Sequence, residues 1–220
     1  SAAINNALAG NPGTAQTIQN DSVTFRRTLA LFATADFRLT EALRLRGEAR
    51  SNWERVEIDS RLSNFEPSFG KTLGARTFHD ITPRFSLDWR PGSGWLVYTS
   101  YARGSRSGGL NTALGLRLEE QTFAPETNWT AEIGARYSGT GLVRGAQLTL
   151  YDIDWRNTQI LGLSTTPGVT ALITRNTAGI RTRGVEASAL LAPARWLEFD
   201  FSGSYTNPRF KPGSEDPGSG

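Results

Sequence analysis

The feature that most constrains this chain is a hydrophobic period of two, sustained over long stretches. In VTFRRTLALFATADFR (23–38) the odd positions hold Val23, Phe25, Leu29, Leu31, Ala33, Ala35 and Phe37, broken by Arg27. The even positions hold Thr24, Arg26, Thr28, Thr34, Asp36 and Arg38, broken by Phe32. Successive side chains of an extended strand point to opposite sides, so each such stretch is a strand with one apolar and one wet face. The pattern repeats. Leu43, Leu45, Ala49 and Trp53 oppose Arg44, Arg46, Glu48, Arg50 and Asn52; Phe85, Leu87 and Trp89 oppose Arg84, Ser86, Asp88 and Arg90. Trp95, Val97, Thr99 and Tyr101 share a face, and Trp129, Ala131, Ile133, Ala135 and Tyr137 oppose Glu132 and Arg136. Val185, Ala187, Ala189 and Leu191 oppose Glu186 and Ser188, and Leu197, Phe199, Phe201 and Tyr205 oppose Glu198, Asp200, Ser202 and Ser204. In AQLTLYDIDWRN (146–157), Leu148 and Leu150 lie on one parity but Ile153 and Trp155 on the other. A β-bulge near Tyr151–Asp152 would reconcile them, since one extra residue reverses the facing. The expectation is an all-β, antiparallel, up-and-down meander of eight strands over roughly 22–210, with loop-like ends at 1–21 and 211–220.

The connections alternate in length. Short turns fall near 39–42, 91–94, 138–145 and 192–196, and long polar loops near 61–77, 104–127 and 158–173. In a meander alternate connections share an end, so one end carries tight turns and the other long loops, as in outer-membrane barrels. Trp89, Trp95 and Trp196 adjoin the short turns, while Trp53, Trp129 and Trp155 lie toward the long loops. Between these belts the strands are about the 9–11 residues needed to cross a bilayer. Indole rings suit both membrane boundaries, being apolar with one polar handle. A soluble sandwich or barrel would also alternate, but its strands average about five or six residues.

Charge supports a wall more than a reaction centre. Of the 24 basic residues only Lys71 and Lys211 are lysine, and 21 acidic residues nearly balance them. The arginines are scattered, unlike the concentrated positive charge of a nucleic-acid binder, so no nucleic-acid partner is expected. With no Cys there is neither a disulfide framework nor thiol chemistry. His79 is the only histidine, so neither a multi-His metal site nor a histidine-centred triad can be assembled. His79 reads as a polar residue near a strand start, and Asp152 and Asp154 as strand residues facing water. No cofactor, resident metal or catalytic activity is expected. A charge on a lipid face costs about 2–4 kcal/mol near the bilayer midplane and little in a wet lumen. That places Arg44, Arg46, Glu48, Arg50, Arg84, Asp88, Arg90, Glu132, Arg136 and Glu186 on the inner wall, with the arginines pairing Glu48, Asp88 and Glu132 or a group filling the barrel. Glu126 also reads as a wall residue paired with arginine. Ligand contact is more plausible at the loops and rim, at Arg103, Arg106, Asn111, Arg117, Asn157, Gln159 and Arg175. Cations there could attract an anionic ligand or lipopolysaccharide phosphates.

YTSYARGSRSGGLN (98–111) then reads as a strand leaving the bilayer for an external loop. It is not a phosphate loop, because no Lys–Ser/Thr pair and helix follow its glycines. FHDITPRFSLDWRPGSGWLVYTSYARGSRSGGLN (78–111) resembles a hairpin of TonB-dependent outer-membrane receptors. So do FAPETNWTAEIGARYSG (123–139), RNTAGIRTRGVEASALLAPARWLEFDFSGSYTNPRF (175–210) and DFRLTEALRLRGEAR (36–50), in the expected order. The resemblance implies a portion of a 22-stranded barrel in the bacterial outer membrane, filled by an N-terminal plug domain of the same parent chain. It implies import of a scarce small ligand (a ferric siderophore, cobalamin or a saccharide) driven by the TonB–ExbB–ExbD complex. These 220 residues have no counterpart of the family's plug, TonB box or closing aromatic strand, and with the loop-like end PGSEDPGSG they are expected to be a segment of a longer chain. A passive porin-like channel and a soluble carbohydrate-binding β-domain remain open alternatives.

Overall fold

The computed structural model describes residues 19–63, 72–113 and 115–214. It is an antiparallel meander. Its main strands are β1 (Gln19–Arg38), β2 (Leu43–Ser63), β3 (Thr72–Gly92), β4 (Trp95–Arg106), β7 (Glu126–Ser138), β8 (Val143–Leu163), β9 (Leu172–Ala194) and β10 (Leu197–Phe210). These form one eight-stranded sheet in chain order. A second ribbon pairs β5 (Gly109–Leu110) with β6 (Thr122–Phe123), inside the loop between β4 and β7.

Register turns the period-two pattern into two surfaces. One row runs Phe37, Leu45, Leu87, Thr99, Ile133, Leu150, Val185, Tyr205, each residue opposite the next across all eight strands. The adjacent row, one residue away in every strand, runs Asp36, Arg46, Ser86, Ser100, Glu132, Tyr151, Gly184, Thr206. The first is apolar apart from Thr99; the second is polar apart from Gly184. The apolar face is uncovered: Ile133 is 53% and Leu31 61% exposed. Among the described residues the only buried hydrophobic side chains are Val56, Ile58, Leu116 and Ile173. A soluble sandwich would pack its apolar face against a second sheet, and among the described residues no second sheet meets it.

Several sequence-based boundaries shift. The turn at 39–42 stands, but those at 91–94, 138–145 and 192–196 tighten to 93–94, 139–142 and 195–196. At the other end the strands run on. The loop expected at 61–77 is strand through Ser63 and again from Thr72, its centre lying outside the described residues, and that at 158–173 shrinks to 164–171. The expected bulge at Tyr151–Asp152 is absent: β8 keeps unbroken register with β7 from Arg156 to Gly145, and with β9 over the same span. A strand paired on both sides cannot bulge there without disturbing two ladders. Ile153 and Trp155 therefore lie on the polar face, and Trp155 does not join the outer belt. The facing reverses higher up, where Asn157 (φ 51°) and Gly179 (φ 128°) sit across the β8–β9 ladder. Below them Leu148 and Leu150 are exposed; above them it is Leu161 and Leu163, of opposite parity. The register shifts that do occur lie beside the short turns, at Trp89/Gly92, Val143/Gly145 and Leu197/Phe199.

The outer aromatics form stacked pairs toward the loop end, Trp53 on His79 (4.7 Å) and Tyr101 on Trp129 (4.8 Å). His79 thus belongs to the belt, with its Nε2 3.0 Å from Ser51 Oγ. At the turn end Trp95 meets Tyr137 at 5.1 Å.

Candidate functional site

The polar face gathers every wall residue expected from sequence. Its ion pairing centres on an acid that the sequence reading did not single out. Asp36 accepts from Arg46 (2.8 Å) and lies 3.5 Å from Arg44. Glu48 is 4.0 Å from Arg84, and Glu54 takes Arg26 at 2.8 Å. Arg50 lies over the Phe32 ring and Arg136 over Tyr98. The expected pairing of Asp88 and Glu132 with arginine does not occur among the described residues. Glu132 and Glu186 instead line an open groove of 580 Å³ with Tyr98, Arg136, Thr149 and Tyr151.

A repeated device shapes this groove. Tyr98 (β4), Gly134 (β7) and Thr149 (β8) stand on one rung, as do Tyr151 (β8), Gly184 (β9) and Thr206 (β10). Each tyrosine lies flat across the glycine and reaches the threonine, at 3.0 Å for Tyr98 and 2.8 Å for Tyr151. A Cβ at Gly134 would fall 2.6 Å from the Tyr98 ring, and one at Gly184 2.3 Å from that of Tyr151. The absent side chain is what lets the ring cover its neighbour.

At the loop end residues 107–125 fold inward over this face. The small hydrophobic core lies here, with Val56 and Ile58 from β2 on one side and Ile173 from β9 on the other. Leu110 packs over Gly74, where a Cβ would be 3.1 Å away. Ser107 Oγ donates to Glu54 (3.1 Å), tying the loop to β2. On the far side Asn176 Nδ2 donates to the carbonyls of Ala124 (2.9 Å) and Asn157 (2.8 Å), while its Oδ1 accepts from Ala124 N (2.7 Å). Glu120, in a single 3-10 turn (Leu118–Glu120), accepts from Ser164 Oγ, Thr166 Oγ1, and Thr165 Oγ1 and N, all within 2.7 Å. These donors hold its carboxyl down to about 2. The folded-state value is depressed, so this latch is at full strength above about 4.5 and is lost as pH falls through about 2. Pepsin cleavage within 107–125 should therefore rise in the wild type only as pH approaches 2, whereas Glu120→Gln should be cut throughout the acid range.

The rim candidates separate into two kinds. Asn111 is buried; its amide donates to the carbonyls of Glu120 and Thr174 and accepts from Thr174 N, so it staples the loop. Gln159 donates to the carbonyls of Ser107 and Ala124, and its N–H is held by Glu126 at 2.7 Å. Asn157 supplies a carbonyl and the left-handed residue. Arg175 lies across Gly162, where a Cβ would be 2.8 Å from its Nε. Arg103 bonds Asp80 (2.7 Å) and the Ile81 carbonyl, filling the gap that opens where the β3–β4 ladder stops at Arg84/Ala102. Arg106 and Arg117 present exposed side chains at the mouth; Arg106 lies 3.5 Å from Glu126, and Arg117 is anchored through its backbone N–H to Thr166. Among the described residues no three His, Asp or Glu side chains group to hold a metal ion.

The family model for the TonB dependent receptor-like β-barrel matches residues 2–220. The chain belongs to that family. Family members are outer-membrane proteins of Gram-negative bacteria. Among solved structures, the ferric yersiniabactin uptake receptor FyuA from Yersinia pestis superposes with a TM-score of 0.72 at 20% identity, over 90% of this chain and 29% of its own. The siderophore receptor PiuA from Acinetobacter baumannii gives 0.67 at 15%, over 88% and 28%. The Serratia marcescens hemophore receptor HasR, solved with its hemophore HasA and heme, gives 0.62 at 17%, over 84% and 34%. The chain thus spans about a third or less of the length of these receptors. The motifs that carry the family likeness now have structural reasons. Glu126 of Pro-Glu-Thr holds the hairpin at Gln159, Gly134 and Gly184 receive the tyrosines, and Asn176 and Gly179 set the loop latch and the reversal of facing.

Proposed function

We propose that this chain is part of the wall of an outer-membrane receptor that takes up a scarce nutrient with energy from TonB–ExbB–ExbD. The two adjacent register rows carry this reading, because a lipid-compatible row beside a polar row in all eight strands is the surface pair that a receptor wall needs. The apolar face meets lipid, and the polar face, with Asp36, Arg46, Glu132 and Glu186, faces the lumen and seats a plug domain of the parent chain. The inward-folded loop 107–125 narrows the external mouth, and Arg106 and Arg117 there meet an incoming ligand. Iron–siderophore complexes lead the ligand classes, with heme, cobalamin and saccharides behind, because the similar folds are named for siderophore and heme uptake and cationic rim groups favour anionic chelates. Spin labels decide the wall. In bilayers, labels at Leu45, Ile133 and Phe199 should be reached by a lipid-soluble quencher, and labels at Arg44, Glu132 and Glu198 by a water-soluble one. Protection of the first set from both quenchers would mean a packed protein core and would sink the reading.

A further inference from the structure

We infer that the outer face of β8–β10, just above the apolar band, binds the phosphate groups of an outer-leaflet lipid, lipopolysaccharide in an outer membrane. The inference rests on the wall reading given above. On this face, below the reversal at Asn157 and Gly179, the apolar rows end at Leu150, Val185, Tyr205. The next rung is Asp152, Arg183, Asn207, and the one after is Asp154, Arg181, Arg209. Arg156 stands opposite Gly179, and Lys211 N bonds the Gly179 carbonyl, which places both at the same level. Five cations therefore meet two carboxylates in a patch about 13 Å long and about 10 Å wide across three strands. Asp152 is shared by Arg181 (2.8 Å) and Arg183 (2.9 Å), and Asp154 by Arg156 (2.6 Å) and Lys211. Arg209 has no carboxylate partner among the described residues; its Nε reaches only Asn207 Oδ1, at 3.5 Å.

The two aspartates hold the cations in place without neutralising them. The Arg183 side chain stays 66% exposed despite its ion pair. A hollow of 370 Å³ opens among Arg181, Arg183, Asn207, Arg209, Phe210 and Lys211. Guanidinium groups match phosphate oxygens in pairs and shed water more readily than ammonium does. Position selects the source of the phosphate. The hollow faces away from the lumen and sits at the edge of the hydrocarbon band, where the headgroups of a bilayer lie. On the same face of β1–β2, Arg27 and Arg55 are balanced by Glu57 and Asp59, so the excess positive charge of β8–β10 is not shared by the strands at the other edge of the sheet.

The test uses the full receptor carrying this segment, in phosphatidylcholine nanodiscs doped with diphosphorylated lipid A. Lipid A retained after repurification is measured for the wild type and for Arg209→Gln/Lys211→Gln, which leaves Asp152 and Asp154 paired. The wild type should enrich lipid A over phosphatidylcholine, the variant should lose about fivefold per cation removed, and dephosphorylated lipid A should not be enriched. Equal retention by the variant, or equal enrichment of the dephosphorylated lipid, would overturn the site. Displacement of lipid A by inorganic phosphate at matched ionic strength would overturn the headgroup assignment in favour of a free phosphate site. A spin label at Ile133 in the same discs separates the two levels. If it sees water the wall reading itself fails, whereas a lipid-exposed label with unchanged lipid A retention removes the lipid site alone.

Discussion

Replacing Gly179 with alanine is expected to destabilise the segment by about 2–5 kcal/mol. Two costs coincide. The residue has φ 128°, which L side chains rarely adopt, and a Cβ there would fall 2.0 Å from the Trp155 carbonyl oxygen. That oxygen belongs to a strand paired on both sides, so it cannot give way as a flexible side chain could. Gly179 also anchors the end of the β10 segment, since its carbonyl accepts from Lys211 N and its N–H donates to Ser214 Oγ. The loss should show as a lower urea midpoint and as early protease cutting of loop 107–125, which hangs from the neighbouring Asn176. Gly203→Ala is the control. A Cβ there meets nothing within 4 Å and its φ is not in the left-handed range, so its midpoint should match the wild type.

Ile133→Arg should cost about 2–4 kcal/mol of folding free energy in bilayers, because along β7 Ile133 lies midway between Trp129 and Tyr137. Its cross-strand neighbours Thr99 and Leu150 offer no counter-charge, so the guanidinium must snorkel or draw water into the hydrocarbon. Ser100→Arg, on the adjacent polar row opposite Glu132, should be close to neutral and gains an acidic partner. The comparison moves one residue laterally and reverses the sign of the environment. Equal costs at the two positions, measured by urea unfolding in vesicles, would contradict the assignment of faces.

Ligand capture at the mouth belongs to the proposed function, and the geometry sorts its candidates. Asn111 and Gln159 lie at the loops and rim, where ligand contact is expected. Their donors and acceptors are spent on backbone groups 9 to 63 residues away, so substituting them should unlatch the loop before it alters any ligand contact. Arg106 and Arg117 are free of that structural duty at their guanidinium groups beyond the 3.5 Å approach of Arg106 to Glu126.

The sequence by itself determined the eight strands of the main sheet, the two faces and the end that carries tight turns. All of these follow from a backbone period of two and from the solvent that each side chain must meet, and both are local. Inference failed where that locality ended. Ile153 and Trp155 break the parity of β8, and a bulge was the cheapest local explanation. Tertiary pairing rejects it, because β7 and β9 hold β8 from both sides and the reversal waits for Asn157 and Gly179, where backbone conformation permits it. Asp152 and Asp154 likewise looked like residues facing water; their place above the apolar band, against Arg181, Arg183 and Lys211, depends on the register of three strands. The inward fold of loop 107–125 was invisible for the same reason. Its bonds from Ser107 to Glu54 and from Glu120 to Ser164–Thr166 join residues more than 40 positions apart, and only the assembled sheet brings them within reach.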